Sequence, residues 1–436
     1  MVKLTQVLNH LNPVKILVVG DIMLDSYTIG KAKRISPEAP VAVVNVLREE
    51  NRPGGAGNVV LNLLSLGANV AVIGRVGHDW AGNELLKALE SEQVDTRMIV
   101  VQEKYHTPLK RRIIADNQQI VRVDQEQLDS LEEPLEQMII DQLPFFLKDV
   151  KVIAISDYGK GFLTHTLLKA IIQQAKQFNI PVITDPKGID FKKYEGTTVI
   201  KPNLIEAYAA AKLSSTASLE NVAAAVIAQC QAEFLMVTRS ELGISLFDAI
   251  GNRFDFPVHA KEVKDVTGAG DTVLAMMAYA IGNQISYDEA IHLCNIAAGI
   301  AIEQVGCARV SLSDIAVRLF ENQICDKVFD QSHLCILQAI LQRSLFSVLT
   351  LSRLNELTPG LFQMIRSVKR ENSALLICIE DPQNCEMLIE MLSSLQEVNF
   401  ILLGLDSLTT LCKFVNPEST YTISSNPLAD LRNNVE

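Results

Sequence analysis

The chain has 436 residues, 48% hydrophobic and 21% charged, with a formal net charge of −12. That length holds two or three domains with ample cores, and the acidic balance argues against broad binding to nucleic acid or to anionic membranes. No run of eighteen apolar residues occurs, so no bilayer span is expected. Met1 to Pro13 is polar and unlike a secretory signal. The eight cysteines, Cys230, Cys294, Cys307, Cys325, Cys335, Cys378, Cys385 and Cys412, contain no Cys-x-x-Cys pair and read as small buried hydrophobes. A reducing, cytoplasmic location is expected.

Taken in order, Val14–Gly20 is an apolar run ending in Gly20-Asp21, which predicts a buried strand with functional residues at its C-terminal end. Further strands are expected at Val70–Gly74, Val150–Ser156, Pro181–Asp185, Thr197–Lys201 and Phe234–Arg239. Helical patterns lie between them at Gly57–Leu66, Trp80–Glu90, Thr164–Phe178 and Leu219–Gln229. The alternation predicts a mostly parallel sheet with helices on both faces. Ligands sit beyond the carboxyl ends of such strands, where Asp21, Asp157, Asp185, Asn203 and Arg239 fall. Two stretches break the alternation: Pro40–Leu47 and Met98–Asp124 are rich in Val and Ile without helical period. Leu109–Ala115 and Gln119–Asp124 flank Asp116-Asn117, a hairpin turn. These stretches predict a small antiparallel sheet, serving as a lid or as an edge extension. A boundary is expected near 318–333, giving domains at 1–320 and 334–436. The second domain restarts an α/β pattern, with strands at Phe346–Leu351, Ala374–Ile379 and Asn399–Leu403 and helices at Gly360–Arg370 and Asn384–Leu395.

The segment Asp265-Val-Thr-Gly268-Ala269-Gly270-Asp271 precedes the apolar run Thr272–Ile281. It reads as a glycine-rich turn opening a helix. Small residues let backbone N–H groups close on an anion, and the helix dipole favours negative charge there. Asp271 is placed to take a proton from an attacking hydroxyl beside that anion hole, as phosphoryl transfer requires, and the helix start is expected to keep it ionised. A capped helix start is the plain alternative. Pro53-Gly54-Gly55-Ala56-Gly57-Asn58 lacks the Lys-Ser/Thr of a P-loop; its close backbone and amide suit a polyol, or a helix cap. Lys201-Pro202-Asn203-Leu204-Ile205-Glu206 sets an amide and a carboxylate three apart, fit to hold the water shell of a magnesium ion on nucleotide phosphates, or to start a helix. Val237-Thr238-Arg239-Ser240-Glu241-Leu242-Gly243 is a strand end and glycine turn that can lie over a nucleotide or at the bare surface; Arg239 can neutralise charge on a transferred group. In Ser156-Asp157-Tyr158-Gly159-Lys160-Gly161, Asp157 can orient sugar hydroxyls and Lys160 can reach a phosphate. Lys110, Arg111 and Arg112 add positive charge, for a phosphate or as a solvated face.

With Gly74-Arg-Val-Gly77-His-Asp79-Trp-Ala-Gly82, and in this order, these segments resemble the ribokinase-type (PfkB) sugar kinases over roughly residues 10–318. Within them the resemblance is to the D-glycero-β-D-manno-heptose 7-phosphate kinases, through Gly20-Asp-Ile-Met-Leu-Asp25, Arg34-Ile-Ser-Pro-Glu-Ala-Pro40, Arg52-Pro-Gly-Gly-Ala-Gly-Asn58 and Ser156–Gly161. It implies a ribokinase-like α/β fold with a small antiparallel β lid, plus a smaller C-terminal α/β domain. It also implies ATP- and Mg²⁺-dependent phosphorylation of the heptose 7-phosphate at O1, supplying a lipopolysaccharide core precursor. Asp271 matches the family's base, and Gly268, Ala269 and Gly270 its anion hole. Asn203, Leu204, Ile205 and Glu206 match the ATP side, joined by Thr238, Arg239, Gly243 and Asp265. Asp21, Gly54, Gly55 and Asn58 match sugar-binding positions, with Lys110, Arg112, Asp157 and Lys160 carried over beside them. Mg²⁺ would be held through ATP phosphates and water near Glu206, with no direct protein ligand. A homodimer joined through the lid is implied by the same likeness. Another sugar or sugar-phosphate kinase and a non-catalytic sugar- or nucleotide-binding regulator are the alternatives. Many such kinases are fused to a nucleotidyltransferase domain bearing His-x-Gly-His. In the corresponding stretch, Leu351–Phe362, Gly360 survives but Thr358 and Leu361 stand in place of the histidines, and no His follows His333. This implies a kept fold with a lost second activity, or an unrelated α/β appendage.

Overall fold

Lys15–Gly20 forms strand β1, buried over its last five residues, as a near-continuous apolar run must be when both faces of a parallel sheet are covered. The computed structural model describes residues 7–8, 10–116, 118–258, 263–304, 306–322, 327–331, 334–342, 344–352, 356–369, 373–382 and 385–423. Their contacts divide into two units: Leu11–Leu312, and the residues from Ser313 on with those before Leu11. Of the sequence readings, residues 1–6 and 9, Asn117, Cys325, His333, residues 353–355, Arg370 and Asn384 lie outside the described set.

In the first unit, β1 pairs in parallel with β4 (Asn69–Gly77) and β8 (Val152–Ser156). β5 (Asp95–Gln102) extends one side; β9 (Val182–Asp185), β10 (Val199–Ile200) and β11 (Phe234–Thr238) extend the other, all in parallel. β12 (Ile244–Asp248) and β13 (Arg253–Phe256) close that edge antiparallel, completing nine strands. The covering helices are α1 (Ala56–Ser65), α2 (Trp80–Ser91), α3 (Glu133–Phe146), α4 (His165–Gln177), α5 (Leu204–Ala211), α6 (Leu219–Cys230), α7 (Ala269–Gly282) and α8 (Tyr287–Ile302). Parallel strands with helical crossovers bring every carboxyl end to one edge. Asp21, Asp157, Asp185, Lys201 and Arg239 all follow such ends.

A second, four-stranded sheet runs in the order β3 (Ala42–Gly55), β2 (Ile22–Ile35), β6 (Leu109–Ala115), β7 (Gln118–Gln125). It corrects the expected small antiparallel sheet in two ways. β2 and β6 pair in parallel, while β2–β3 and β6–β7 are antiparallel. Met98–Gln102 belongs instead to β5 of the main sheet, because Met98, Ile99 and Val100 are buried there. β2 follows Asp21 with no intervening helix, so the chain steps from the end of β1 straight into the small sheet.

In the second unit, five parallel strands run β14 (Val328–Phe329), β17 (Phe400–Leu403), β16 (Ala374–Ile379), β15 (Phe346–Leu351), β18 (Ser419–Ile423). Helices include α11 (Pro359–Val368) and α12 (Glu386–Ser394). Two clusters of buried apolar side chains flank this sheet, one around Leu349 and Ile377 and one around Val348 and Leu376. Neighbours along β15 and β16 thus face opposite layers, as a period of two requires. Cys230, Cys294, Cys307 and Cys378 are buried thiols without disulfides.

Candidate active site

Helices apolar all round belong inside a core. α7 is buried without interruption from Asp271 to Ala280, and α1 from Ala56 to Leu63. Where they meet, Asn58 Nδ2 donates to Asp271 Oδ2 at 2.9 Å across 213 residues of sequence. The Tyr158 hydroxyl donates to Asp271 Oδ1 at 2.7 Å. Asn62 Nδ2 donates in turn to the Asn58 carbonyl at 3.0 Å. Gly268 is the N-cap of α7 at φ 79°, and a Cβ there would stand 2.7 Å from Asn58 Nδ2. Glycine is required at 268 for both backbone and space. The first-turn N–H groups that follow have no intrahelical acceptor. A Cβ on Gly270 would lie 3.7 Å from both Asp185 Oδ2 and Lys201 Nζ, which ion-pair at 2.9 Å. Lys201 is only 2% exposed, so a desolvated cation lies beside the helix start. The Asp271 pKa departs from the expectation that the helix start keeps this group readily ionised. Burial pushes its pKa up to about 7, and the hydrogen bonds from Asn58 and Tyr158 offset this only in part. Desolvation of a carboxylate outweighs a helix dipole here.

Asp21 Oδ2 accepts the backbone N–H groups of Tyr158 and Lys160 at 2.9 and 3.1 Å. Its Oδ1 is buried with no protein partner. Burial, then the neighbouring Asp157, raises the Asp21 pKa. An unpaired buried acceptor calls for a donor such as a hydroxyl. Gly54 admits no side chain, since a Cβ would meet Asp25 Oδ2 at 2.0 Å, and Gly55 turns into α1 at φ 58°. A cavity of about 450 Å³ opens beside Asn58, lined also by Arg52, Leu61, Cys307 and Arg309. The expected phosphate contacts have protein partners. Arg112 pairs with Asp25 at 2.5 Å and Lys160 with Glu126 at 2.6 Å. Lys110 Nζ lies 5.5 Å from the Tyr158 ring centre. Asp157 does not present its carboxylate for a sugar: Lys193 and the Tyr194 hydroxyl take Oδ2 at 2.7 and 2.6 Å, and the Gly159 N–H takes Oδ1 at 2.7 Å. It holds the turn instead.

After β10, Asn203 and Glu206 form a complete capping box on α5: the Asn203 side chain accepts the Glu206 N–H at 2.9 Å, and Glu206 Oε2 accepts the Asn203 N–H at 3.1 Å. Lys187 Nζ donates to Glu206 Oε1 at 2.7 Å. Leu204 is half-buried and Ile205 is 82% exposed, an apolar side chain free for a ligand. Asn203 is also bridged to Thr238, which joins the tetrad to the β11 end. Arg239 pairs with Asp255 at 3.1 Å and donates to the Leu242 carbonyl at 3.2 Å. The antiparallel β13 carries Asp255 to that edge and captures the guanidinium. Gly243, at φ 80°, passes so near β13 that a Cβ would meet the Phe256 carbonyl at 2.1 Å. Asp265 accepts from Thr267 and, at 2.9 Å, from the Gly306 N–H. Burial alone would raise its pKa, but these donors hold it below the usual value. It pins the turn before α7. Among the described residues, no three His, Cys, Asp or Glu side chains gather as metal ligands.

Sequence reasoning named the Tyr158, Asp185 and Lys201 segments but gave those side chains no role. It also missed Arg75, 2% exposed, whose guanidinium donates to the Lys160 and Asp129 carbonyls and stacks on Tyr105 at 3.7 Å. Arg75 stands as a cation in the otherwise apolar strand Asn69–Gly77, and that anomaly was the available signal.

Residues 14–314 match the pfkB family carbohydrate kinase family. The chain is 46% identical over 303 residues to Bifunctional protein HldE of Trichlorobacter lovleyi, covering 69% of this chain and 62% of that protein. It is 42% identical over 303 residues to Bifunctional protein HldE of Campylobacter jejuni, covering 69% and 64%. The chain thus spans under two thirds of the length of these relatives. Among solved structures, Escherichia coli phosphofructokinase-2 in complex with potassium superposes with a TM-score of 0.58 at 20% identity, covering 71% of this chain and 99% of that one. Arabidopsis thaliana ribokinase complexed with ribose and ATP superposes with a TM-score of 0.54 at 17% identity, covering 71% and 99%.

Proposed function

Because this chain belongs to the pfkB family of carbohydrate kinases, we propose that it transfers the terminal phosphoryl group of ATP to O1 of D-glycero-β-D-manno-heptose 7-phosphate. The observation that carries this reading is the Asp271 carboxylate at the first turn of α7, held by Asn58 and Tyr158 beside the Lys201–Asp185 pair. The kinship with the proteins named HldE supports the heptose.

In this reading the acceptor sugar lies between Asp21, Gly54, Gly55 and Asn58 and the Asp271 carboxylate. Asp21 Oδ1 takes a ring hydroxyl. An anomeric hydroxyl is more acidic than an ordinary alcohol, so Asp271 is basic enough to receive its proton as the O–P bond forms. The N–H groups after Gly268, with Ala269 and Gly270, face the charge that develops on the transferred group, and Lys201 adds a fixed positive charge. ATP would supply the phosphoryl group, and Mg²⁺ held on its phosphates through water near Glu206 would supply charge neutralisation there. The fit rests on the Glu206 carboxylate, which accepts one donor on each oxygen and retains lone pairs for metal-bound water. Asn203, Leu204, Ile205, Glu206, Thr238 and Gly243 would border the nucleotide. Lys110, Arg112 and Lys160 would take the 7-phosphate, Arg112 and Lys160 exchanging Asp25 and Glu126 for it.

The lid sheet exposes Val46, Leu47, Val121 and Val123, an apolar surface that suits a homodimer, testable by sedimentation. No described helix is long and apolar enough to cross a membrane; a cytoplasmic site of action is part of the proposal. So is the division into a kinase domain at 1–320 and a transferase-like domain at 334–436 that has lost its histidines.

The deciding experiment incubates the protein with ATP, Mg²⁺ and a panel of sugar phosphates, comparing kcat/KM. The heptose 7-phosphate is expected to lead and to yield the 1,7-bisphosphate. A preferred non-heptose sugar would replace the substrate assignment, and ATP binding without transfer to any sugar would favour a regulator. Asp271→Asn is expected to lower kcat by roughly 10²–10⁴-fold with ATP affinity retained by calorimetry.

A further inference from the structure

The segment Ser156–Gly161 lies where three parts of the site converge, and one residue in it, Tyr158, touches all three through its main chain and its side chain. The main-chain N–H of Tyr158 donates to Asp21 Oδ2 at 2.9 Å, its hydroxyl donates to Asp271 Oδ1 at 2.7 Å, and Lys110 of β6 lies over its ring at 5.5 Å. We propose that Tyr158 is a positioning residue for phosphoryl transfer, aiming the Asp271 carboxylate at the acceptor hydroxyl. The inference rests on Asp271 being the base.

The geometry supports this by lone-pair accounting. A carboxylate offers about four acceptor positions. Asn58 takes one on Oδ2 and Tyr158 one on Oδ1, which fixes the carboxylate plane and leaves one position on each oxygen. The substrate proton moves from the acceptor oxygen to a remaining position, and Tyr158 keeps its own proton. Burial, then Asp271 and Asp185, hold the Tyr158 phenol well above its ordinary pKa, so it remains a donor through the working pH range.

The same bond has an electrostatic consequence. The groups facing Asp271 are Asn58 from α1, Tyr158 after β8, Asp185 at the β9 end, Lys201 after β10 and Cys307 after α8. Asp185 disfavours the charged carboxylate, and Lys201, Asn58 and Tyr158 favour it. Of the two hydrogen-bond donors, only Tyr158 can lose its bond with almost no change of shape, by Tyr158→Phe.

The test is the pH profile of kcat for the full chain, for Tyr158→Phe, and for protein carrying 3-fluorotyrosine at 158, a stronger donor of the same shape. Loss of the donor should move the acid limb up by roughly one pH unit. Turnover below the limb then falls about ten-fold and recovers at high pH. The fluorinated protein should move the limb the other way. A purely structural role would shift KM or thermal stability and leave both limbs in place, and that result overturns the proposal. Should Tyr158→Phe fail to fold, the fluorinated protein, which keeps ring and hydroxyl, decides by the direction of its shift. Asp271→Asn separates the two levels. If it stays active, the base assignment falls; if it is inactive while the limb stays unmoved, only the role of Tyr158 falls.

Discussion

At the scale of single residues, burial decides the behaviour of Asp271. Its pKa is raised from near 4 to about 7 because the carboxylate is desolvated, with smaller opposing contributions from Asn58 and Tyr158. With Asp271 as the proposed base the working form is the carboxylate, so kcat/KM is expected to fall as the pH drops below about 7, read from a pH–rate profile of the free enzyme. Stability runs the other way. The folded state holds this proton more tightly than the unfolded chain, so the contribution is fully present below pH 4 and is lost as the pH rises through 7. Asp271→Asn should therefore raise the melting temperature at pH 8 relative to wild type, with the gain vanishing at pH 4; an equal gain at both pH values would contradict the raised pKa. Gly268 is the second residue whose role is local. A Cβ at φ 79° and 2.7 Å from Asn58 Nδ2 strains the backbone and pushes Asn58 off Asp271. Gly268→Ala should cost about 1–3 kcal/mol by denaturant titration and reduce kcat more than the affinity for ATP.

At the scale of elements, helix starts carry the site. Asn203 begins α5 in a capping box while lying next to Thr238 at the β11 end. In the proposed function the helix cap and a nucleotide contact are the same residue. Asn203→Ala should destabilise by about 1 kcal/mol and raise KM for ATP, whereas a cap alone would change only the melting temperature. The N-terminus of α7 differs: Gly268 makes no side-chain cap, and the Ala269 N–H turns back to the Val266 carbonyl at 3.3 Å. The sequence made these elements legible wherever local chemistry determined them. Strands Phe346–Leu351 and Ala374–Ile379 fall where their apolar runs place them, and the expected helix at Trp80–Glu90 differs from the structure by a single residue. It failed where pairing was non-local. The length of β2, its parallel partnership with β6, and the transfer of Met98–Gln102 to the main sheet depend on which strand lies alongside, and no local pattern encodes that choice.

At the scale of the molecule, the two units have different outlooks. The first carries the match to the pfkB carbohydrate kinases and every residue proposed for phosphoryl transfer. In the second, Thr358 accepts the Leu361 N–H as an ordinary N-cap of α11, a role that needs no imidazole. The full chain incubated with ATP and the heptose 1-phosphate is expected to form no nucleotide-activated heptose, followed by mass spectrometry; its appearance would restore a second activity to that unit. What the sequence by itself determined was the order of glycine turns and acidic strand ends. Backbone conformation and hydrogen-bonding capacity are properties of residue type, so Gly54, Gly268, Asp21 and Asp271 could be named in advance. Only the tertiary structure decided which of those groups are available. The packing of α1 on α7 brought Asn58 to Asp271, and the crossing of β8 set Tyr158 against both site aspartates. Neighbours distant in sequence occupied Asp157, Arg239 and Lys160. Desolvation and pairing are set by what folding brings close, and an isolated motif cannot state its own surroundings.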